Sequence, residues 1–219
     1  PVNVMVGGRN LGNADAPPVT FTLSVDGVVR DSWTVAPSPG FFVRTWAWPD
    51  GVAAGDGAYA LMSIRASVDG RDEPALAAIE QFNVQPAGRP ILAFGEGWYE
   101  QEYDPSTGVL WRWTSARATV RILGASSDVT VRLSGEDPSR YFVRPSRVVV
   151  RAGSRVLLER GLGRDFDLRI DVPLVALSEA GGRLDIETDQ TFRPADRRDS
   201  PDARALGLRT FSVSLTPAS

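Results

Sequence analysis

A chain of 219 residues with no histidine and no cysteine is excluded from Ser-His-Asp catalysis, from thiolate chemistry, from disulfides and from zinc sites built on those ligands. Its 24 cationic side chains are all arginine and stand against 27 acidic ones, for a net charge of -3, so no basic field suited to nucleic acid or anionic lipid is present. The length suits one large domain or two modest ones, each able to bury a core.

Short segments of alternating apolar and polar residues, punctuated by Gly, Pro, Asp and Asn, predict antiparallel strands throughout, with almost no helical periodicity. Val2, Val4 and Val6 alternate first. The run Gly7-Gly8-Arg9-Asn10-Leu11-Gly12 lacks the spacing of a phosphate-binding loop and is expected to be a turn. Val19, Phe21, Leu23 and Val25 form the next strand, Asp26-Gly27 a tight hairpin turn, and Val28 to Val35 the returning strand. After Pro37-Ser38-Pro39-Gly40 come Phe41 to Trp48, Tyr59 to Val68 closed by Asp69-Gly70, and Ile79 to Val84. Six or seven such strands are expected of an immunoglobulin-like or fibronectin-like sandwich. Trp46 and Trp48 put a second apolar face on their strand, which is expected to pack on a neighbouring domain or a partner.

Gln85 to Pro90, with two prolines and a glycine, is the expected linker, giving domains 1–86 and 87–219. Beyond it, strands are predicted over Trp111 to Leu123, Val129 to Leu133, Val148 to Val150, Val156 to Leu158, Phe166 to Val172, Leu184 to Ile186 and Phe211 to Leu215. A jelly-roll-like sandwich accommodates that many strands. Phe166, Leu168, Ile170 and Val172 alternate with Asp165, Asp167, Arg169 and Asp171, so one face is core and the other wet. The polar, proline-broken stretch from Arg193 to Arg204 is expected to be a long surface loop. The fold class is therefore all-β, as two tandem antiparallel sandwiches.

Chemistry concentrates between Gly95 and Trp113, where three tryptophans, two tyrosines and four carboxylates crowd together. Sugars present apolar C–H faces rimmed by hydroxyls, so aromatic rings flanked by carboxylates and arginine suit a glycan. The candidate ligand-binding residues are Trp98, Tyr99, Glu100, Glu102, Tyr103 and Arg112. A purely structural reading stands beside this one: Trp111 and Trp113 point into the core, Trp98 packs across the sheet, and Asp104-Pro105-Ser106-Thr107-Gly108 is a turn.

Glu100 and Glu102, about 6.5–7 Å apart along a strand, have a spacing compatible with a glycosidase pair, but no cleft-forming insertion accompanies them. No catalytic residue is assigned. Calcium is the metal the composition leaves open, with Glu102, Asp104, Asp196, Asp199 and Asp202 as oxygen donors. No EF-hand pattern is present, and no cofactor is expected.

The segments Gly8-Arg9-Asn10-Leu11-Gly12, Ile79-Glu80-Gln81-Phe82, Gly97-Trp98-Tyr99-Glu100-Gln101-Glu102-Tyr103-Asp104-Pro105-Ser106-Thr107-Gly108, Trp111-Arg112-Trp113-Thr114 and Asp202-Ala203-Arg204-Ala205-Leu206-Gly207-Leu208-Arg209 resemble the soluble C-terminal region of large bacterial membrane glycosyltransferases of the mannosyltransferase-like kind. That resemblance implies a β-rich appendage with carbohydrate-binding-module-like folds on the extracytoplasmic side, periplasmic or at the cell surface. It also implies a membrane-embedded catalytic remainder ahead of Pro1, so none of the enzyme's catalytic carboxylates falls on this sequence. No apolar run reaches the roughly eighteen residues of a membrane helix, and no basic-then-apolar leader opens the sequence. A piece of a longer polypeptide, inserting no segment of its own into a membrane, is expected. The expected function is a noncatalytic module that holds a glycan or glycolipid acceptor; the alternative is a structural or protein-docking module.

Overall fold

The computed structural model describes residues 2–37, 40–48, 59–68, 75–196 and 200–218. The chain divides into two compact units, Pro1–Ala87 and Gly88–Ser219. Both are antiparallel β-sandwiches.

In the first unit the strands are β1 (Val2–Asn10), β2 (Val19–Val25), β3 (Val28–Val35), β4 (Phe41–Trp48), β5 (Met62–Ser67) and β6 (Ala77–Pro86). They pair as β4-β1-β6 and β3-β2-β5, with Val4, Val6, Val19, Phe21, Leu23, Trp33, Val35 and Phe42 buried as one core. The period-two alternation of β2, in which every second residue is buried, is what a half-buried strand requires. Val25 pairs with Val28, and Asp26 and Gly27 both take positive φ, 50° and 77°, the signature of a two-residue type I′ hairpin.

Three expectations are corrected here. Gly7 to Asn10 belong to β1 rather than to a turn, because the register against β6 shifts between Gly7 and Gly8. The backbones are so close there that a Cβ on Gly8 would lie 2.2 Å from the carbonyl oxygen of Ala78. The strand expected from Tyr59 to Val68 contracts to β5, leaving Tyr59 exposed. Trp46 and Trp48 pack against their own unit's core, and the Trp46 indole N–H donates to Asp31 Oδ2 at 3.0 Å. Ser38, Pro39 and the Asp69-Gly70 turn lie outside the described residues.

The second unit contains β7 (Ile91–Phe94), β8 (Trp98–Tyr103), β9 (Leu110–Thr114), β10 (Arg117–Leu123), β11 (Val129–Glu136), β12 (Arg147–Ala152), β13 (Arg155–Gly161), β14 (Asp165–Val172), β15 (Arg183–Thr188) and β16 (Arg209–Pro217), and among its described residues a short α-helix, α1 (Leu174–Glu179). Their orders are β13-β12-β15-β10-β7 and β14-β11-β16-β9-β8. Strands β9 to β16 alone run β14-β11-β16-β9 and β13-β12-β15-β10, the nested two-sheet order of a jelly roll; β7 and β8 each add an edge strand.

The phase of β14 is as expected, with Phe166, Leu168, Ile170 and Val172 buried and the intervening charges exposed. Each buried side chain of this size contributes about 1.5–3 kcal/mol of transfer free energy before ordering entropy is subtracted. The single strand expected from Trp111 to Leu123 is two, β9 and β10, in different sheets. Ser115 and Ala116 make the corner between them: Ser115 N donates to Gly97 O at 2.7 Å, and Thr188 N donates to Ala116 O at 2.8 Å. Strand β7 and helix α1 carry no signal that the alternation revealed. No helix among the described residues is long and apolar enough to cross a membrane.

Asp185 on β15 is 4% exposed. Burial opposes its ionisation, but hydrogen bonds from Arg117, Arg183 and Thr119 and the charge of Arg183 outweigh it, holding the carboxyl below the usual carboxylate range. Its contribution to stability is full above about pH 4, the ordinary carboxylate value, and is lost as pH falls through the lower folded-state value. Asp185→Asn is expected to lower the melting temperature at neutral pH and to flatten its dependence on pH below about 4, as read by calorimetry across that range.

Candidate functional site

Strands β8 and β9 form a hairpin whose turn is built by Asp104. Its Oδ1 accepts from Ser106 N at 2.8 Å and from Ser106 Oγ at 2.6 Å, and the Ser106 side chain, foremost, holds the carboxyl below its ordinary range. Gly108, at φ 70°, closes the turn by donating from its N–H to Asp104 O at 2.7 Å.

Along the hairpin the register is irregular between Trp98 and Gln101, after which Glu102 stands opposite Trp111. Alternation then sends Arg112 and Thr114 inward, where both are buried. Trp111 and Trp113 point to the outer face, half-buried. This corrects the expectation that both tryptophans enter the core. The inner position between them is taken by Arg112, whose guanidinium lies 5.0 Å from the Phe94 ring centroid and donates to Tyr99 O at 3.1 Å.

On that outer face lies a cleft of about 470 Å³. Its aromatic wall is Trp113, Tyr141 and Phe192. Phe192 is the hub, stacked on Tyr141 at 4.0 Å between centroids and edge-on to Trp113 at 5.7 Å. It is held there by reciprocal backbone hydrogen bonds with Leu206, 2.9 and 2.8 Å long.

The opposite wall is a charge cluster. Arg204 donates from Nη2 to Glu102 Oε1 at 2.7 Å and from Nε to Asp202 Oδ1 at 2.9 Å, while its guanidinium lies 5.1 Å from the Tyr99 ring centroid. Tyr99 OH donates to Ala205 O at 3.1 Å, and Glu102 Oε2 accepts from Trp111 Nε1 at 3.0 Å. The loop ahead of β16 is thereby strapped to the hairpin. The Arg204 hydrogen bond, against opposing burial, keeps the Asp202 carboxyl below the carboxylate range. Arg140 stands at the rim, its guanidinium 4.7 Å from the Tyr141 ring.

Of the sequence-predicted residues, Glu102 lines the cleft and Tyr99 supports it through Arg204. Trp98 is corrected to a core residue: it is 1% exposed, and its indole N–H donates to Thr119 O at 2.9 Å. Arg112 is likewise turned inward and buried, so neither offers a surface to a ligand. Glu100 and Tyr103 are exposed but are not among the residues lining the cleft. Both oxygens of Glu102 are engaged by Arg204 and Trp111, while Glu100 is solvent-exposed.

Arg140, Tyr141, Phe192 and Leu206 reach the cleft from segments far from the hairpin, with no motif in the sequence to link them to it. The one available signal was Phe192, an aromatic placed just before the polar stretch. Among the described residues no group of three or more acidic side chains is arranged to hold a metal ion. Asp104 serves its own turn, Glu102 and Asp202 share Arg204, Asp196 is exposed, and Asp199 lies outside the described residues.

No protein-family profile matches the chain, and no curated protein matches it. Among solved structures, the chain is similar to the N-terminal CBM22-1-CBM22-2 tandem domain of Xyn10C from Paenibacillus barcinonensis, with 12% identity over 99% of this chain and 78% of that one and a TM-score of 0.32. It is also similar to the M60 catalytic domain with the CBM51-1 and CBM51-2 domains of ZmpB from Clostridium perfringens, with 9% identity over 97% of this chain and 32% of that one and a TM-score of 0.27.

Proposed function

We propose that the second unit is a noncatalytic carbohydrate-recognition module and that its ligand enters the cleft beside Trp113, Tyr141 and Phe192. The observation that carries this reading is the pairing of an aromatic wall with pre-positioned hydrogen-bonding groups in one open cleft of about 470 Å³, within the range of small-molecule sites. Aromatic faces suit the C–H faces of a sugar, and Arg140, Arg204, Glu102, Asp202 and Ser200 supply partners for hydroxyls. Two arginines and two carboxylates balance in charge, which favours a neutral, hydroxyl-rich ligand over a strongly charged one. The resemblance of the 97–114 block supports placing the module outside the cytoplasm, where it orients a glycan or glycolipid acceptor for a membrane-bound glycosyltransferase of which it is a part.

A second reading, protein docking, draws on edge strand β6, where Ile79, Phe82 and Val84 are exposed. A glycan array probed with the full chain, with and without calcium, separates the two. Binding is expected, and Trp113→Ala with Tyr141→Ala is expected to weaken it by about 30-fold, the loss typical of a central aromatic contact. An array on which nothing binds in either condition moves the assignment to docking through β6.

A further inference from the structure

Strand β16 carries an extra residue opposite β11. Ser212 faces Ser134 and Thr210 faces Gly135, with the register shifting between them, so Phe211 has no partner of its own on β11. Gly135 fixes this bulge, because a Cβ there would lie 2.3 Å from Arg209 O and 2.7 Å from Cζ of Phe166. Thr210 before the bulge is buried, and Val213 and Leu215 after it pack against the core. Both Phe211 and Ser212 are therefore left on the outer face, exposed. Bulges re-aim side chains where they occur, and this one turns outward a phenyl ring that stays 41% exposed.

That ring borders the aromatic wall of the 470 Å³ cleft. Arg209 pairs with Trp113 across β16 and β9, and its guanidinium lies 4.0 Å from the Trp111 ring centroid and 5.4 Å from that of Phe211. Glu102 joins the two areas, with Oε1 on Arg204 in the cleft wall and Oε2 on the Trp111 indole. Beyond Phe211 the outer face is hydroxylic, with Ser134 and Ser212 hydrogen-bonded at 2.7 Å. Its charges are matched: Arg209 donates to Glu136 Oε2 at 3.3 Å, and Arg132 holds both oxygens of Asp167, at 2.8 and 2.6 Å. An exposed ring among hydroxyls and neutralised charges suits the C–H face and hydroxyl rim of an uncharged sugar.

We propose that the ligand of the cleft is a chain of two or more uncharged sugar residues, one held beside Trp113 and the next passing over Trp111 to stack on Phe211. This rests on the glycan reading of the cleft and adds to it the length and path of the ligand. Trp113 and Phe211 stand diagonally across β9 and β16, a separation of about 7–8 Å. One sugar ring does not span that distance, so a monosaccharide meets one of the two rings and a longer chain meets both. Phe211 then determines specificity for chain length, while the cleft determines whether a sugar binds at all.

The test titrates the full chain with mannose and glucose and with their linear di- and tetrasaccharides, following the indole N–H resonance of Trp113. The affinity it reports is expected to rise about tenfold or more from monosaccharide to oligosaccharide. Phe211→Ala, a change at an exposed residue, is expected to abolish that gain and to leave the response to the monosaccharide unchanged. Phe211→Tyr keeps the ring and is expected to keep the gain. Equal affinity at every length, or a gain that survives Phe211→Ala, overturns the proposal and leaves the glycan reading of the cleft standing. A Trp113 resonance that moves with no sugar of any length overturns both.

Discussion

Trp98→Ala is expected to destabilise the second unit by about 3–5 kcal/mol, the range for deleting a buried aromatic. The indole is 1% exposed in the largest core of the chain and meets the Phe94 ring edge-on at 4.9 Å. Its N–H shares Thr119 O with Gly95 N, which donates at 2.7 Å, tying β8 to β10 across the two sheets. Truncation therefore leaves a cavity and removes one of two donors at that carbonyl. Trp98→Phe keeps most of the apolar volume and is expected to lose a smaller amount, about 1–2 kcal/mol. Chemical denaturation of the two variants checks the ordering. A Trp98→Ala protein as stable as the wild type would place that ring outside the core.

Gly97→Ala, one residue earlier, is expected to cost about 2–6 kcal/mol, the sum of a left-handed non-glycine backbone and an overpacked contact. Gly97 has φ 79°. An added Cβ would stand 1.9 Å from Arg117 O, 2.8 Å from Arg117 C and 2.9 Å from Ala118 Cα, all backbone atoms. No rotamer change relieves such a clash. The carbonyl of Gly97 also accepts from Ser115 N at the corner between β9 and β10, so displacing it disturbs the point where the chain changes sheets. Melting temperature reads the effect directly, and a Gly108→Ala control isolates its steric part, since that glycine also has positive φ but nothing within 4 Å of an added Cβ.

How much of this was legible follows from which signals are local. The alternation in β14 and the Asp26-Gly27 hairpin depend on neighbouring residues, and both are read directly from the chain. The break between β9 and β10 is not, because Ser115 and Ala116 carry neither glycine nor proline and the apolar pattern runs on through Arg117 to Leu123. The phase of β9 was equally hidden. Two tryptophans flanking an arginine suggest rings inward, yet the inward place goes to Arg112, whose guanidinium stacks on Phe94 and bonds the backbone of Tyr99. A one-residue change of phase exchanges the faces of every side chain in the strand.

The cleft was half legible for a related reason. Glu102 and Trp113 sit in the aromatic block that the composition singled out, whereas Tyr141, Phe192 and Arg204 arrive from a 3-10 turn and a loop. Nothing in the spacing of Glu102 and Arg204 foretells a 2.7 Å hydrogen bond between residues 102 positions apart. Long-range juxtaposition of this kind is set by the jelly-roll strand order rather than by any local motif.

Whether a sugar enters the outer cleft as proposed is read from a titration of the full chain with mannose- and glucose-based oligosaccharides, following the indole N–H resonances of Trp113 and Trp98. A saturable shift of Trp113 with Trp98 unmoved is expected; no movement of Trp113 with either kind of oligosaccharide, or a larger shift at Trp98, overturns the glycan assignment.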